Sequence, residues 1–407
     1  MKNHKTVAMG GAAMIASLAG VSAQDSAPLF KIGSVDVRPH VAYSIVYDDN
    51  IFLEHKSKAV VPTRGNPGRD HDFVHTFTPG LRLNAGDAAT RQSAYFDANY
   101  DLVVTRFTDH SGSDSVDHNG LIEFGGKLNR LHVGVSQGLE SRSDADAANL
   151  AANGRVKRKT WTTKIDSTYD VSEKTTAGLD LQQVIGDYQA PLVDSVDRSA
   201  NLWLDYQVLP KVKMGLGGAI GYLQVEGNAA THNPNSVYEQ GLLRLSWSAT
   251  EKLTIRAKGR FEHRNIQEVG ASDPNEPIFE LGADWKASEQ TTFALTASRQ
   301  TKVSNAQVAQ LNQETAITGS VKHNLWEGLS LGLDGGYSHS HYVVTSAAAG
   351  ALRDDSYFFA KPSISYRFWE RAQATVFYQY RRNDSDLVAN GNDFFGSQLG
   401  LELSYRF

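Results

Sequence analysis

The residues that could do chemistry in this chain are charged, and they recur at even spacing. Arg256, Lys258 and Arg260 stand two apart, and Asp97 and Asp101, like Asp166 and Asp170, stand four apart. That spacing puts like groups on one face of an extended strand. There they can line a watery path and act on passing ions, but they cannot converge on one reacting atom. Parity with apolar neighbours places Asp180, Asp205, Glu239, Arg244, Lys286, Arg299 and Arg381 on the same wet faces. No nucleophile elbow, phosphate loop or His-Glu-x-x-His helix is expected. The chain has no cysteine, so thiolate nucleophiles, zinc thiolate sites and disulfide scaffolds are excluded. His339 and His341 share a face but lack a third ligand, and they read as a solvated pair. Tyr47-Asp48-Asp49-Asn50 could offer oxygens to calcium. Turn-forming residues capping a strand end are the better reading of it. No catalytic, cofactor-binding or metal-binding residue is assigned, and an enzyme is not expected.

Charges of this kind need strands to carry them. From Val35 onward, apolar and polar residues alternate in runs long enough to cross a bilayer as tilted β-strands. The runs are joined in turn by short polar links and long ones. Asn129-Arg130, Ser172-Glu173-Lys174, Pro210-Lys211, Thr250-Glu251-Lys252, Ser288-Glu289-Gln290, Glu327-Gly328 and Glu370-Arg371 are short. Stretches such as 143–154, 227–236, 304–314 and 345–353 are long and rich in loop-forming residues. Alternating short and long links predict an all-β, up-and-down antiparallel transmembrane barrel of about 18 strands (16–18), with short periplasmic turns and long external loops. Aromatics gather just before the short turns. Trp247, Trp285, Trp326 and Trp369, with Tyr169 and Tyr206, predict a girdle at the periplasmic interface. So many charges would cost roughly 2–4 kcal/mol each for Arg or Lys at mid-membrane, so the wet faces must line water. About 18 strands leave room for an aqueous channel.

The two ends fit this reading. Residues 1–23 have a basic start, a short apolar run and Val21-Ser22-Ala23, the pattern of a cleaved signal peptide. Residues 24–34 then form a short periplasmic segment, and 35–407 a single barrel without a separate plug domain. At the other end, Leu399, Leu401, Leu403, Tyr405 and Phe407 alternate with Gln398, Gly400, Glu402, Ser404 and Arg406. Tyr405 and Phe407 are the expected signal to the barrel assembly machinery. Net charge is −5, and no basic stripe invites nucleic acid.

A signal peptide, a strand ending in Tyr-Asp-Asp-Asn-Ile and a barrel ending in Tyr-Arg-Phe resemble the family named putative β-barrel porin 2. The resemblance implies a bacterial outer-membrane barrel, some relatives being associated with exopolysaccharide export. It implies no catalytic or binding residues. The leading expectation is a porin-like channel for passive diffusion of small hydrophilic solutes, set in outer-membrane lipid and lipopolysaccharide. A barrel component or scaffold of an exopolysaccharide export system is the alternative, and a barrel-embedded hydrolase the third. The aspartates and the Arg256 ladder fall in different sectors, which predicts a transverse field across the pore.

Overall fold

A strand with one apolar and one polar face needs lipid on one side and water on the other. Its backbone needs a partner at both edges, because lipid offers none. The computed structural model describes residues 30–55, 70–86, 93–145, 155–189, 192–226, 234–268, 273–303, 310–344, 353–386 and 393–407. The expected signal peptide lies outside them, as do most of the long links. A short β1 (Phe30–Ile32) precedes β2 (Val35–Asp48), β3 (Asp72–Ala85), β4 (Tyr95–Phe107), β5 (Ser115–Leu128) and β6 (Leu131–Asp144). Next come β7 (Val156–Asp170), β8 (Thr175–Tyr188), β9 (Ser195–Leu209), β10 (Val212–Val225), β11 (Ser236–Ser248) and β12 (Leu253–Ile266). The series ends with β13 (Asn275–Lys286), β14 (Thr291–Val303), β15 (Gln310–Trp326), β16 (Leu329–Val344), β17 (Asp354–Phe368), β18 (Ala372–Ser385) and β19 (Phe394–Arg406).

Each strand from β2 onward pairs antiparallel with the next, and β19 returns to β2 from Gln398↔Asp48 to Arg406↔His40. Eighteen strands, β2 to β19, therefore close a ring, as the sequence predicts. Below the seam, β1 takes up the edge of β2 that β19 leaves open, with Phe30 opposite Val37. The Phe407 amide donates to the Pro39 carbonyl at 3.0 Å, so both ends of the barrel meet on one edge.

Local chemistry sets the short turns. The hydroxyl oxygen of Thr250 accepts from the Lys252 and Leu253 amides, and that of Ser288 from Gln290 and Thr291. The same Ser/Thr-Glu-x spelling in the sequence marks the Ser172 turn, where Ser172 accepts from the Lys174 amide. Gly328 closes a two-residue turn at φ +83°, a conformation that costs glycine little. The link between β4 and β5 is tighter than the sequence suggests. A 3₁₀ turn at Ser111–Ser113 lets β5 begin at Ser115, where the alternation points to Gly120.

The expected girdle residues Tyr169, Tyr206, Trp247, Trp285 and Trp326 are exposed large apolar groups at the short-turn ends. Trp369 sits in the turn itself at φ +67°. Burial is concentrated at the opposite end. The largest fully buried side chains are Arg353, Tyr342, Phe394, Asn50, Asn383 and Asp72, all beside long links. The barrel is thus tied together by a polar knot at one rim rather than by a central apolar core.

Closure depends on β19. Deleting residues 398–407 removes its pairing to β2 and most of that to β18, leaving open edges in lipid. The truncated chain is expected to yield no heat-modifiable, membrane-inserted species on gel electrophoresis. Insertion at the level of the intact chain would show that the seam is dispensable.

Candidate functional site

The inner wall is built by parity. On β9, Leu202, Leu204, Tyr206 and Val208 are exposed on the lipid side, so Asp197, Trp203 and Asp205 turn inward. Applied around the ring, the same parity turns Asp97 and Asp101 of β4, Asp166 and Asp170 of β7, and Asp180 of β8 inward. Arg244 of β11, Arg256, Lys258 and Arg260 of β12, Lys286 of β13 and Arg381 of β18 also face in. Two expected members do not. Glu239 pairs with Ile220, which is exposed toward lipid, and Arg299 pairs with Phe279 on the face that carries Leu281 and Trp285. In both strands the apolar positions, Leu243 and Trp247 in one and Phe293 and Leu295 in the other, share the parity of the charged residue. Both lie near the long-loop ends, where an outward charge costs only about 0–1 kcal/mol. The Arg299 guanidinium also meets Glu276 at 2.9 Å.

Nearly every inward charge has a local partner. Asp101 meets His40 at 2.7 Å, Asp166 meets His132 at 3.6 Å, and Asp170 meets Lys127 at 2.6 Å. Asn84 donates to Asp97. The ladder is paired as well: Arg256 contacts Asp284, Lys258 meets Glu280 at 3.2 Å, and Arg260 donates to Gln240 at 3.0 Å. The expected transverse field therefore has no unopposed ladder to generate it. Lys286 is exposed at its strand end, and no ion pair involves it among the described residues.

Large side chains lie flat against the wall where glycine makes room. Trp203 donates to Asp180 at 3.1 Å, and the Arg244 guanidinium stacks 4.0 Å above its ring while reaching Asp205 at 3.3 Å. A Cβ on Gly178 would stand 2.1 Å from that ring. Trp203 was not among the expected site residues. Its inward parity with Asp205 is readable in the sequence, but the cross-strand glycine is not.

Two strings, 134–138 and 328–332, do spell Gly-x-Ser-x-Gly. Neither forms a nucleophile elbow: the first lies within β6, and the second runs from a hairpin turn into β16. His341 meets Asp354 and His339 meets Ser356, so the two histidines take separate partners on β17. No group suited to a metal ion occurs among the described residues.

Asp48, Asp49 and Asn50 anchor the first long link. Arg381 donates to both Asp48 oxygens at 2.7 and 2.8 Å, and Gln398 donates to Asp48 at 2.8 Å. Asp49 accepts from the Ser397 amide. Asn50 is fully buried and donates to the carbonyls of Glu54 and Phe395. Beyond it, Leu53 packs on Phe394 in a buried pair joined by Tyr357 of β17 and by Ala145 beyond the end of β6. The link thus starts inward, across the rim.

A second clamp holds the same link. His110 bonds Asp72 through Nδ1 and Asp70 through Nε2, each at 2.9 Å, and Phe52 stands edge-on to its ring. The Asp72 hydrogen bond raises the His110 pKa above 6.5; burial opposes this and Asp70 adds to it. Burial pushes Asp70 up, but the His71 amide and His110 outweigh it and hold its carboxyl below 3.8. A raised histidine stabilises fully below its unfolded value, and the effect fades as pH rises through the folded value. A lowered carboxyl stabilises above its unfolded value and fails as pH falls through its folded one. The clamp should be firmest between about pH 4 and 6.5 and loosen above that window. Amide protection at Thr108, Asp109 and His110, corrected for intrinsic exchange, is expected to fall between about pH 6 and 8. His110→Gln should remove that dependence, and a flat wild-type profile would sink the assignment.

No curated protein matches the chain. Solved structures with similar folds include Acinetobacter baumannii OccAB4, at 12% identity and TM-score 0.46, covering 91% of this chain and 98% of that one. Pseudomonas aeruginosa OpdO matches at 10% identity and TM-score 0.47, with 92% and 98% covered. The Pseudomonas aeruginosa outer membrane protein OpdK matches at 10% and 0.46, with 91% and 98% covered. Residues 144–399 match the family model described as "Putative outer membrane beta-barrel porin, MtrB/PioB". That match spans more than half of a closed eighteen-strand barrel with a charged inner wall, and the chain belongs to the MtrB/PioB family of bacterial outer-membrane β-barrel porins.

Proposed function

We propose that this porin is a passive diffusion channel for small hydrophilic solutes, narrowed at its long-loop mouth by the first link. The inner wall carries the reading. Eighteen strands about 4.8 Å apart and tilted about 40° enclose a ring roughly 36 Å across between backbones. Its inward residues are polar, and most of their charges are matched in place, so along most of the wall water and neutral solutes meet little net field. The segment from Asn50 to Leu53, fixed by Asp48 and Arg381, reaches over part of this opening. No catalytic role is proposed for any wall residue. The short-turn end faces the periplasm, residues 1–23 are removed on export, and 24–34 remain as a short periplasmic segment. Tyr405 and Phe407, whose rings meet edge-on at 4.8 Å, present the terminal signal to the assembly machinery. The long links face lipopolysaccharide.

Liposomes containing the purified protein should swell in small sugars and progressively less in larger ones. Absence of swelling would rule out free diffusion. Arg381→Gln leaves Asp48 without its cation and releases the first link. Single-channel conductance is expected to rise, and a conductance equal to wild type would show that this link does not set the aperture. An epitope tag in 345–353, which lies mostly outside the described residues, should be reached on whole cells. A tag at Glu327-Gly328 should not, and the reverse pattern would invert the orientation.

A further inference from the structure

Four cations on the inner wall have no acid of their own. Lys322 of β15, Arg367 of β17, Arg406 of β19 and Arg82 of β3 occur on every second strand, across the seam where β19 meets β2. Parity fixes their inward face, because Ile317, Tyr366, Leu403 and Leu81 of the same strands are exposed toward lipid. Each pairs across the sheet with an uncharged or cationic residue: Lys322 with Gly332, Arg367 with Gln373, Arg406 with His40 and Arg82 with Arg38. None forms an ion pair or a side-chain hydrogen bond among the described residues. Arg82 and Arg367 act on Arg406 as like charges, and Arg367 acts so on Lys322.

The acids nearby are already engaged. Asp36 holds Arg38 and Lys31, each at 3.1 Å, and Asp101 holds His40 at 2.7 Å. Asp334 and Glu402 share Lys361. The chain as a whole is acidic, at −5, so this cluster runs against its own net charge. Elsewhere on the wall, each ladder cation has a partner one strand away. Here no ion pair among the described residues offsets the repulsion between the cations, and anions from solution can. Low-dielectric walls focus such a field into the lumen. Guanidinium forks suit phosphate and carboxylate. Register sets Arg367 level with Ser404 and Arg406 level with Gly80, so Arg367, Arg406 and Arg82 step about 12 Å apart at the backbone, and Lys322, level with Ser363, stands about 16 Å from Arg367. Their long side chains narrow these gaps toward the span of one multivalent anion.

We propose that Lys322, Arg367, Arg406 and Arg82 form a binding shelf at the short-turn mouth for small solutes bearing two or more phosphate or carboxylate groups. The shelf makes the pore selective for such anions. Selectivity rests on the channel reading, whereas binding does not. The test uses the full-length mature protein in detergent and in planar bilayers, with inorganic pyrophosphate and tricarballylate as probes. Calorimetric titration of wild type should show binding. Arg82→Gln/Lys322→Gln/Arg367→Gln/Arg406→Gln should weaken it at least ten-fold, and Lys258→Gln, a paired ladder cation, should leave it unchanged. In bilayers, either probe added on the short-turn side should block wild-type current, with the block lost in the fourfold variant. Binding of both probes assigns charge recognition, and binding of one assigns its class. Binding of neither, or equal affinity in the fourfold variant, overturns the shelf. A wild type that binds but does not conduct removes the channel and keeps the shelf. If the fourfold variant does not fold, Arg406→Gln alone should weaken binding at least three-fold, and unchanged affinity there refutes the proposal.

Discussion

Everything in this molecule depends on the pairing of β19 with β2. In lipid an unpaired backbone amide or carbonyl has no water to turn to, and each costs several kcal/mol. A sheet of eighteen strands with two free edges would carry a full row of such groups on each. The seam from Gln398↔Asp48 to Arg406↔His40 removes both rows, and β1 covers the part of β2 that β19 does not reach. The polar knot at the opposite rim belongs to the same device. Arg381 on β18, Gln398 on β19 and Asp48 on β2 tie three strands around the seam with charge-assisted hydrogen bonds.

Once the ring is closed, the wall must keep dozens of polar groups facing a water-filled space without collapse. Pairing one strand across does this. Lys258 finds Glu280, Asp205 finds Arg244, and Asp170 finds Lys127. Glycines between the larger groups let Trp203 and Asp205 lie along the wall instead of standing into the lumen. Against that balance stand four inward cations that have no acid of their own among the described residues. Lys322, Arg367, Arg406 and Arg82 flank the seam that closes the barrel, on β15, β17, β19 and β3.

The two mouths differ in kind. At the short-turn end, links of two to four residues join seven of the hairpins, and exposed aromatics stand at the strand ends. At the long-loop end, Asn50 and Leu53 are buried where the first link begins, and the Asp70–His110–Asp72 clamp holds its other end.

Alternation along the chain sufficed for the strands, their number and the short turns, because a two-residue period and Ser/Thr-Glu-x turns are local properties of the backbone. It also sufficed for most inward charges, among them Asp97, Asp166, Arg256 and Arg381. Parity fails for Glu239 and Arg299, which ride on the apolar face of their strands near the rim, where water is close enough to tolerate them. The partner of each charge was not legible. Whether Arg256 is one rung of an unopposed ladder or half of a pair depends on Asp284 of the neighbouring strand, and register across a sheet is set by closure of the ring. The inward course of Asn50 and the gathering of Lys322, Arg367, Arg406 and Arg82 have the same origin. Residues up to 324 positions apart become neighbours only when the last strand meets the first.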